Sequence, residues 1–173
     1  INILKNVDEI LRQIPSIKKT LVFGYNKNDK KSDYKKYINF EKVLSDAKLN
    51  ETFERYEFNH PIYILYSSGT TGKPKCITHG SGNVLIEHNK EFMLHCDIRD
   101  NDKLFYYTTT GWMMWNWLVG GLATGASIFL FDGAPTYPKI DVLLEYCQNQ
   151  KIKLFGVSAK YIDHLKNEKF DSK

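Results

Sequence analysis

Ile64-Leu65-Tyr66-Ser67-Ser68-Gly69-Thr70-Thr71-Gly72-Lys73-Pro74-Lys75 is the stretch on which the reading of this chain turns. Ser67 to Lys75 holds four hydroxyl side chains, two glycines and two lysines. Glycines let the backbone turn so that several N–H groups converge on one anion, and hydroxyls add further donors. Lys73 and Lys75 can offset negative charge, so the loop suits a polyphosphate. Gly-Thr-Thr-Gly by itself would equally describe an ordinary polar hairpin. The common P-loop needs a wider spacing before its Gly-Lys pair. Here only Thr70 and Thr71 separate Gly69 from Gly72-Lys73, and Pro74 follows. Proline at that place also argues against a long helix that starts at Lys73 and cradles phosphate.

Outward from the loop, Ile62 to Tyr66 reads as a buried strand, and Lys75 to Thr78 as a strand returning from it. Further on come a helix over Asn83 to Cys96, a strand over Lys103 to Thr109 and a helix over Trp112 to Ala123. A strand over Ala126 to Phe131, closed by Asp132-Gly133, a helix over Ile140 to Gln150, a strand over Lys153 to Val157 and a helix over Lys160 to Lys166 complete that side. Before the loop, Ile3, Val7, Ile10, Leu11 and Ile14 fall at helix spacing, and Pro15 stops the helix. Leu21 to Phe23 reads as a short strand, Asn26 to Tyr37 as a lysine-rich loop and Phe40 to Lys48 as a short helix. Alternating strands and helices predict an α/β fold with a mainly parallel sheet flanked by helices. Such sheets place ligands at the carboxyl ends of their strands, here the loops after Tyr66, Thr109 and Val157.

The chain has 173 residues, 42 % of them hydrophobic, enough for one domain with a packed core. Its net charge of +4 comes mainly from lysines in the first third, among them Lys18, Lys19, Lys30, Lys31, Lys35 and Lys36. Tyr34 and Tyr37 stand among them as stacking platforms for nucleic acid do. Asp29, Asp33 and Glu41 interrupt the run, however, and it has no arginine to read base edges. A solvated surface segment is the better reading, with no nucleic-acid partner. Cys76, Cys96 and Cys147 are dispersed, which argues against a disulfide scaffold and a zinc site and points to a reducing, cytoplasmic setting. Gly111 to Phe131 carries no charge and is long enough to cross a bilayer. Its glycines and the break at Thr124-Gly125 favour a buried helix followed by a strand over a membrane span. No internal repeat is present. The first residue is Ile1 and no charged-then-apolar leader precedes it, so a fragment or a processed chain is expected.

The dozen positions from Ile64 to Lys75 resemble the signature loop of the AMP-forming acyl ligases, the superfamily of acetyl-CoA synthetases, luciferases and peptide-synthetase adenylation domains. The resemblance implies part of the large N-terminal domain of such a ligase. Residues 1–52 match weakly, residues 53–173 form the core with the phosphate loop, and the C-terminal domain lies outside the match. It also implies that Ser67, Ser68, Gly69, Thr70, Thr71, Gly72, Lys73 and Lys75 close over the β- and γ-phosphates of ATP. Thr70, Thr71 and Lys73 would lie closest, with Lys75 concerned in placing the loop. Gly111-Trp112 matches a pair beside the acyl pocket of acetyl-CoA synthetases, and Met113 and Met114 replace the Val-Thr that follows there. Trp115 and Trp117 read instead as core fillers at helix spacing. Gly156, Val157 and Ser158 would flank the acyl and nucleotide sites, although Gly156 could equally serve close packing.

Within the superfamily the resemblance is strongest to acetoacetate–CoA ligases. It is carried by His60 to Ser68, Lys75 to Gly80, Leu94 to Asp97, Thr110 to Leu118 and Phe155 to Tyr161. Cys76 fits this branch too, and its plain reading is a small buried residue in a strand. The implied reaction activates acetoacetate with ATP and Mg2+ to an acyl-adenylate, then transfers the acyl group to coenzyme A. Acetate or propionate ligases, and a truncated nucleotide-binding module without chemistry, remain the alternatives. The family's Tyr-Gly-x-Thr-Glu and Tyr-x-Thr-Gly-Asp segments are not found here, nor is its catalytic lysine. No residue is therefore assigned a catalytic role, no metal ligand is named, and this 173-residue stretch is expected not to catalyse the reaction alone. Small molecules are the expected partners, and the oligomeric state is not legible.

Overall fold

The computed structural model describes residues 3–24, 36–49, 52–67 and 72–170. It divides into two units, Ile1–Glu54 and Arg55–Lys173.

In the first unit, helix α1 (Leu4–Gln13) turns Leu4, Val7 and Leu11 to its half-buried side. Asp8 lies on that side and accepts hydrogen bonds from the Lys36 ammonium and the Tyr37 hydroxyl. Those bonds, Lys36 first, hold its carboxyl below the usual range. Strand β1 (Leu21–Val22) pairs in parallel with β2 (Ile38–Asn39). Asn39 Oδ1 then caps α2 (Phe40–Asp46) by accepting the Lys42 N–H at 3.2 Å. Neither helix buries a residue fully. Of the lysine-rich stretch, Asp29, Lys30, Lys31, Asp33, Tyr34 and Lys35 lie outside the described residues.

The second unit opens with a hairpin of β3 (Pro61–Ser67) and β4 (Lys75–Gly80), antiparallel, with Ser67 opposite Lys75 at the end where residues 68–74 connect the strands. Two expectations need correction here. The phosphate-loop segment leaves a hairpin, not the carboxyl edge of the parallel sheet, because residues 68–74 are too few for the crossover a parallel partner requires. Nor is β3 buried: its alternate face carries Ile62, Ile64 and Tyr66, the last two 58 % and 70 % exposed. An apolar run does not by itself tell a strand covered on one face from one covered on both. Helix α3 (Ser81–Lys90) docks back on the chain before the hairpin, its Ser81 and Gly82 N–H groups donating to the carbonyls of His60 and Phe58, both at 2.8 Å. A π-helical turn (Glu91–His95), closed by Cys96 N–H on the Glu91 carbonyl at 3.0 Å, extends it and drives Phe92 into the core.

After the turn come β5 (Lys103–Tyr106), α4 (Met113–Gly120) with a 3-10 turn (Gly121–Thr124), β6 (Ser127–Phe129), α5 (Val142–Gln150), β7 (Leu154–Gly156) and α6 (Ala159–Asn167). The strands form a parallel sheet in the order β6-β5-β7, as the alternation predicts. Successive strand residues point to opposite faces, and β5 uses both. Leu104 packs with Phe92, Ile98, Leu118 and Ala126 on one side. Phe105 packs with Leu143 and Tyr161 on the other, its ring stacked on Phe155 at 5.2 Å. Helices on both faces are what a parallel sheet requires. The uncharged Gly111 to Phe131 resolves into helix, turn and strand, and no helix among the described residues is long and apolar enough to cross a membrane.

Candidate functional site

Between the inner face of the hairpin, helix α3 and the start of α4 lies a groove of about 520 Å³. The alternation of β3 turns Tyr63, Leu65 and Ser67 toward it, and across the ladder His79 and Ile77 stand opposite Tyr63 and Leu65. Helix α3 contributes Val84, Glu87 and His88, spaced to share one face. Helix α4 contributes Met113 and Asn116, one turn apart. Gly120 follows on the same stripe of α4. A Cβ built there would stand 2.0 Å from His88 Nδ1, so the imidazole occupies the space that a side chain would fill. The His88 ring also meets Phe92 edge-on at 6.2 Å. Burial pushes its pKa below 6.5, with Glu87 opposing, so the ring is neutral near pH 7 and offers one N–H. Burial likewise raises the Tyr63 phenol and keeps it protonated.

The groove brings together two stretches that the sequence reading treats separately. Ser67, which opens the phosphate-loop segment, and Met113, from the acyl-pocket segment, both line it. Gly72, Lys73 and Lys75 are exposed at the connected end of the hairpin and are not among the groove's lining residues. Ser68, Gly69, Thr70 and Thr71 lie outside the described residues. Trp112 is 70 % exposed on extended backbone just before α4, Gly111 is exposed, and Met114 is half-buried. Trp115 and Trp117 pack on the core, Trp117 lying 4.3 Å from Phe92 and 5.9 Å from Tyr106 between ring centres.

Gly156, Val157 and Ser158 leave the carboxyl edge of the sheet beside the segment after β5, where Tyr107 N–H donates to the Gly156 carbonyl at 2.9 Å. The Tyr106 ring covers Gly156, Val157 packs on the Phe105 cluster, and the Ser158 hydroxyl caps α6 by accepting the Tyr161 N–H at 3.4 Å. Cys76 is exposed in β4, not buried, because its side chain stands on the uncovered face of the hairpin with that of Tyr66 opposite. Among the described residues no three His, Cys, Asp or Glu side chains are grouped to hold a metal. Sequence reasoning assigned no site role to Tyr63, His79, Glu87, His88 or Asn116. An amide at Asn116 inside an otherwise uncharged, apolar run was the signal available for one of them.

The hairpin whose strands Ser67 and Lys75 close thus contributes one face to an apolar groove that α3 and α4 complete. The chain belongs to the AMP-binding enzyme family, whose profile matches residues 2–173. Over 118 residues it is 54 % identical to the acetoacetyl-coenzyme A synthetase of Rhizobium meliloti, a match covering 68 % of this chain and 18 % of that protein. It is 47 % identical over 120 residues to a malonamoyl-CoA synthetase of Penicillium aethiopicum, which covers 64 % of this chain and 17 % of the relative. The solved acetoacetyl-CoA synthetase from Streptomyces lividans superposes with a TM-score of 0.85 at 36 % identity, over 97 % of this chain and 25 % of that one. The chain thus spans a quarter or less of the length of these relatives.

Proposed function

We propose that this chain carries the phosphate loop and part of the acid site of an ATP-dependent acid–thiol ligase that converts acetoacetate to acetoacetyl-CoA. The observation that carries the reading is the single groove lined by both Ser67 and Met113. A carboxylate oxygen attacks the α-phosphorus of ATP, the bond to the bridging oxygen breaks and pyrophosphate leaves. The thiolate of coenzyme A then attacks the acyl carbon and AMP departs. The first step brings two anions together, so donors and cations that offset the repulsion matter most. Ser67, Ser68, Gly69, Thr70, Thr71, Gly72, Lys73 and Lys75 supply them, with Lys73 bearing charge toward the departing phosphates. Magnesium travels with the nucleotide phosphates as part of the substrate and screens their charge. Gly111, Trp112, Met113 and Met114 wall the acyl group with apolar surface, and Gly156, Val157 and Ser158 flank it from the sheet edge.

Two similar proteins narrow the acid. The acyl groups in the names acetoacetyl-CoA synthetase and malonamoyl-CoA synthetase both carry a carbonyl at the β position. A β-carbonyl carboxylic acid is therefore the substrate class. The test is acid-dependent ATP–pyrophosphate exchange by the whole protein with acetoacetate, malonamate, butyrate, propionate and acetate. Exchange at least about tenfold faster with the β-carbonyl acids supports the reading. A preference for acetate or propionate sinks it, and nucleotide binding without any exchange favours a non-catalytic module instead.

A further inference from the structure

We infer that Asn116 is the residue that recognises the β-carbonyl oxygen of the acid, an inference that rests on the ligase reading above. Asn116 lines the groove one helical turn from Met113, on the stripe of α4 that faces α3. It is half-buried, and its amide makes no side-chain hydrogen bond to any described residue. Of the other polar groups of the lining, Asn83 and Glu87 are engaged, while Ser67, Tyr63 and His79 belong to the hairpin and not to α4. Asn83 donates to Asn59 at 3.4 Å, and Glu87 accepts from Lys90 at 2.9 Å. The His88 ring is wedged against Gly120 and Phe92.

An amide with a free N–H, set among Leu65, Ile77, Val84 and Met113, discriminates in a defined way. A carbonyl oxygen placed beside it exchanges water for the amide N–H and loses little. An alkyl acid of equal length covers the amide with methylenes and leaves its donors unpaired, which is penalised. Seating the carboxylate toward Ser67 and the tail along Met113 brings the β position to α4. Asn116 is thus a specificity-determining side chain, while Met113 supplies only apolar contact. Neutral His88 fills the space above Gly120 and fixes the wall behind the amide.

The test compares acetoacetate with butyrate, which differ at the β-carbonyl, by kcat/KM in acid-dependent pyrophosphate exchange with the whole protein. Asn116→Leu should lower the acetoacetate-to-butyrate ratio about tenfold or more, mainly by losing acetoacetate, since one hydrogen bond and one stranded amide are at stake. Asn116→Asp keeps the side-chain volume while removing the donor, and should lower the ratio as well even if the leucine variant folds poorly. An unchanged ratio in a folded variant, or an equal loss with both acids, overturns the role of Asn116 while leaving the ligase reading intact. A wild-type protein that prefers acids without a β-carbonyl overturns both.

Discussion

The β3–β4 hairpin and the β6-β5-β7 sheet are made of similarly apolar strands and end in opposite circumstances. In β5, Leu104 and Phe105 are adjacent residues sealed on opposite faces of the sheet. In β3, Tyr63 and Leu65 look into the groove while Ile64 faces outward, and Tyr66, though it also borders the groove, is 70 % exposed. The parallel sheet draws its stability from helices packed on both sides. The hairpin offers one face to a groove and carries the phosphate-loop segment between its strands. If the proposed function holds, the phosphate loop and the best-buried strand lie in different sheets, and the two can be perturbed separately.

The largest separation should come from Lys73→Ala. Lys73 is exposed beside the hairpin tip, so melting should shift by no more than ~0.5 kcal/mol, as for ordinary surface changes. Acid-dependent pyrophosphate exchange in the whole protein should fall by roughly 10²–10³, the loss typical of one donor to a developing charge. Equal exchange rates in mutant and wild type would break the assignment. Leu104→Ala should do the reverse. Leu104 is fully buried, and its truncation should cost about 2–5 kcal/mol in urea unfolding, against less than ~0.5 kcal/mol for Ile64→Ala. Comparable losses at the two sites would erase the distinction between the sheets.

The parallel sheet was legible because its elements follow one another with clear changes of period. The helices and strands after Lys103 fall within a few residues of where the pattern puts them. The hairpin's exposure was not legible, since Ile62 to Tyr66 reads the same whether one face is covered or two. The π-helical turn at Glu91–His95 was missed because nothing in its composition separates it from the helix it prolongs. Of the site, the motif residues could be named from pattern, but the groove joins β3, β4, α3 and α4, and only folding reveals that His79, His88 and Asn116 share it. Gly156 is the ambiguous case. A Cβ there would lie 2.1 Å from the Tyr106 ring, so Gly156→Ala should cost about 1–3 kcal/mol through overpacking. A large loss of exchange with unchanged melting would make Gly156 a site residue instead.

The smallest effect expected lies at the amino end of the parallel sheet, far in character from the groove. Asp102 accepts the Arg99 N–H at 2.6 Å and the Lys153 ammonium at 2.7 Å, while its own carbonyl takes the Ser127 N–H at 2.8 Å. Lys153 N–H in turn donates to the Lys103 carbonyl at 2.9 Å, so backbone bonds join the starts of β5, β6 and β7 while the Asp102–Lys153 side-chain pair adds a tie between the starts of β5 and β7. The hydrogen bond from Lys153, and next that from the Arg99 backbone, lowers the Asp102 pKa from 3.8. A depressed folded-state pKa means that the unfolded chain takes up the proton first as pH falls. The contribution of Asp102 is therefore complete well above pH 3.8 and drains away as pH drops through the lower folded value. Asp102→Asn should be slightly less stable than wild type near neutrality, and the gap should close on acidification. Urea midpoints measured across that window decide the matter. A gap that stays constant through the acid range would show that the ion pair does not couple to folding, leaving the strand starts held by their backbone hydrogen bonds alone.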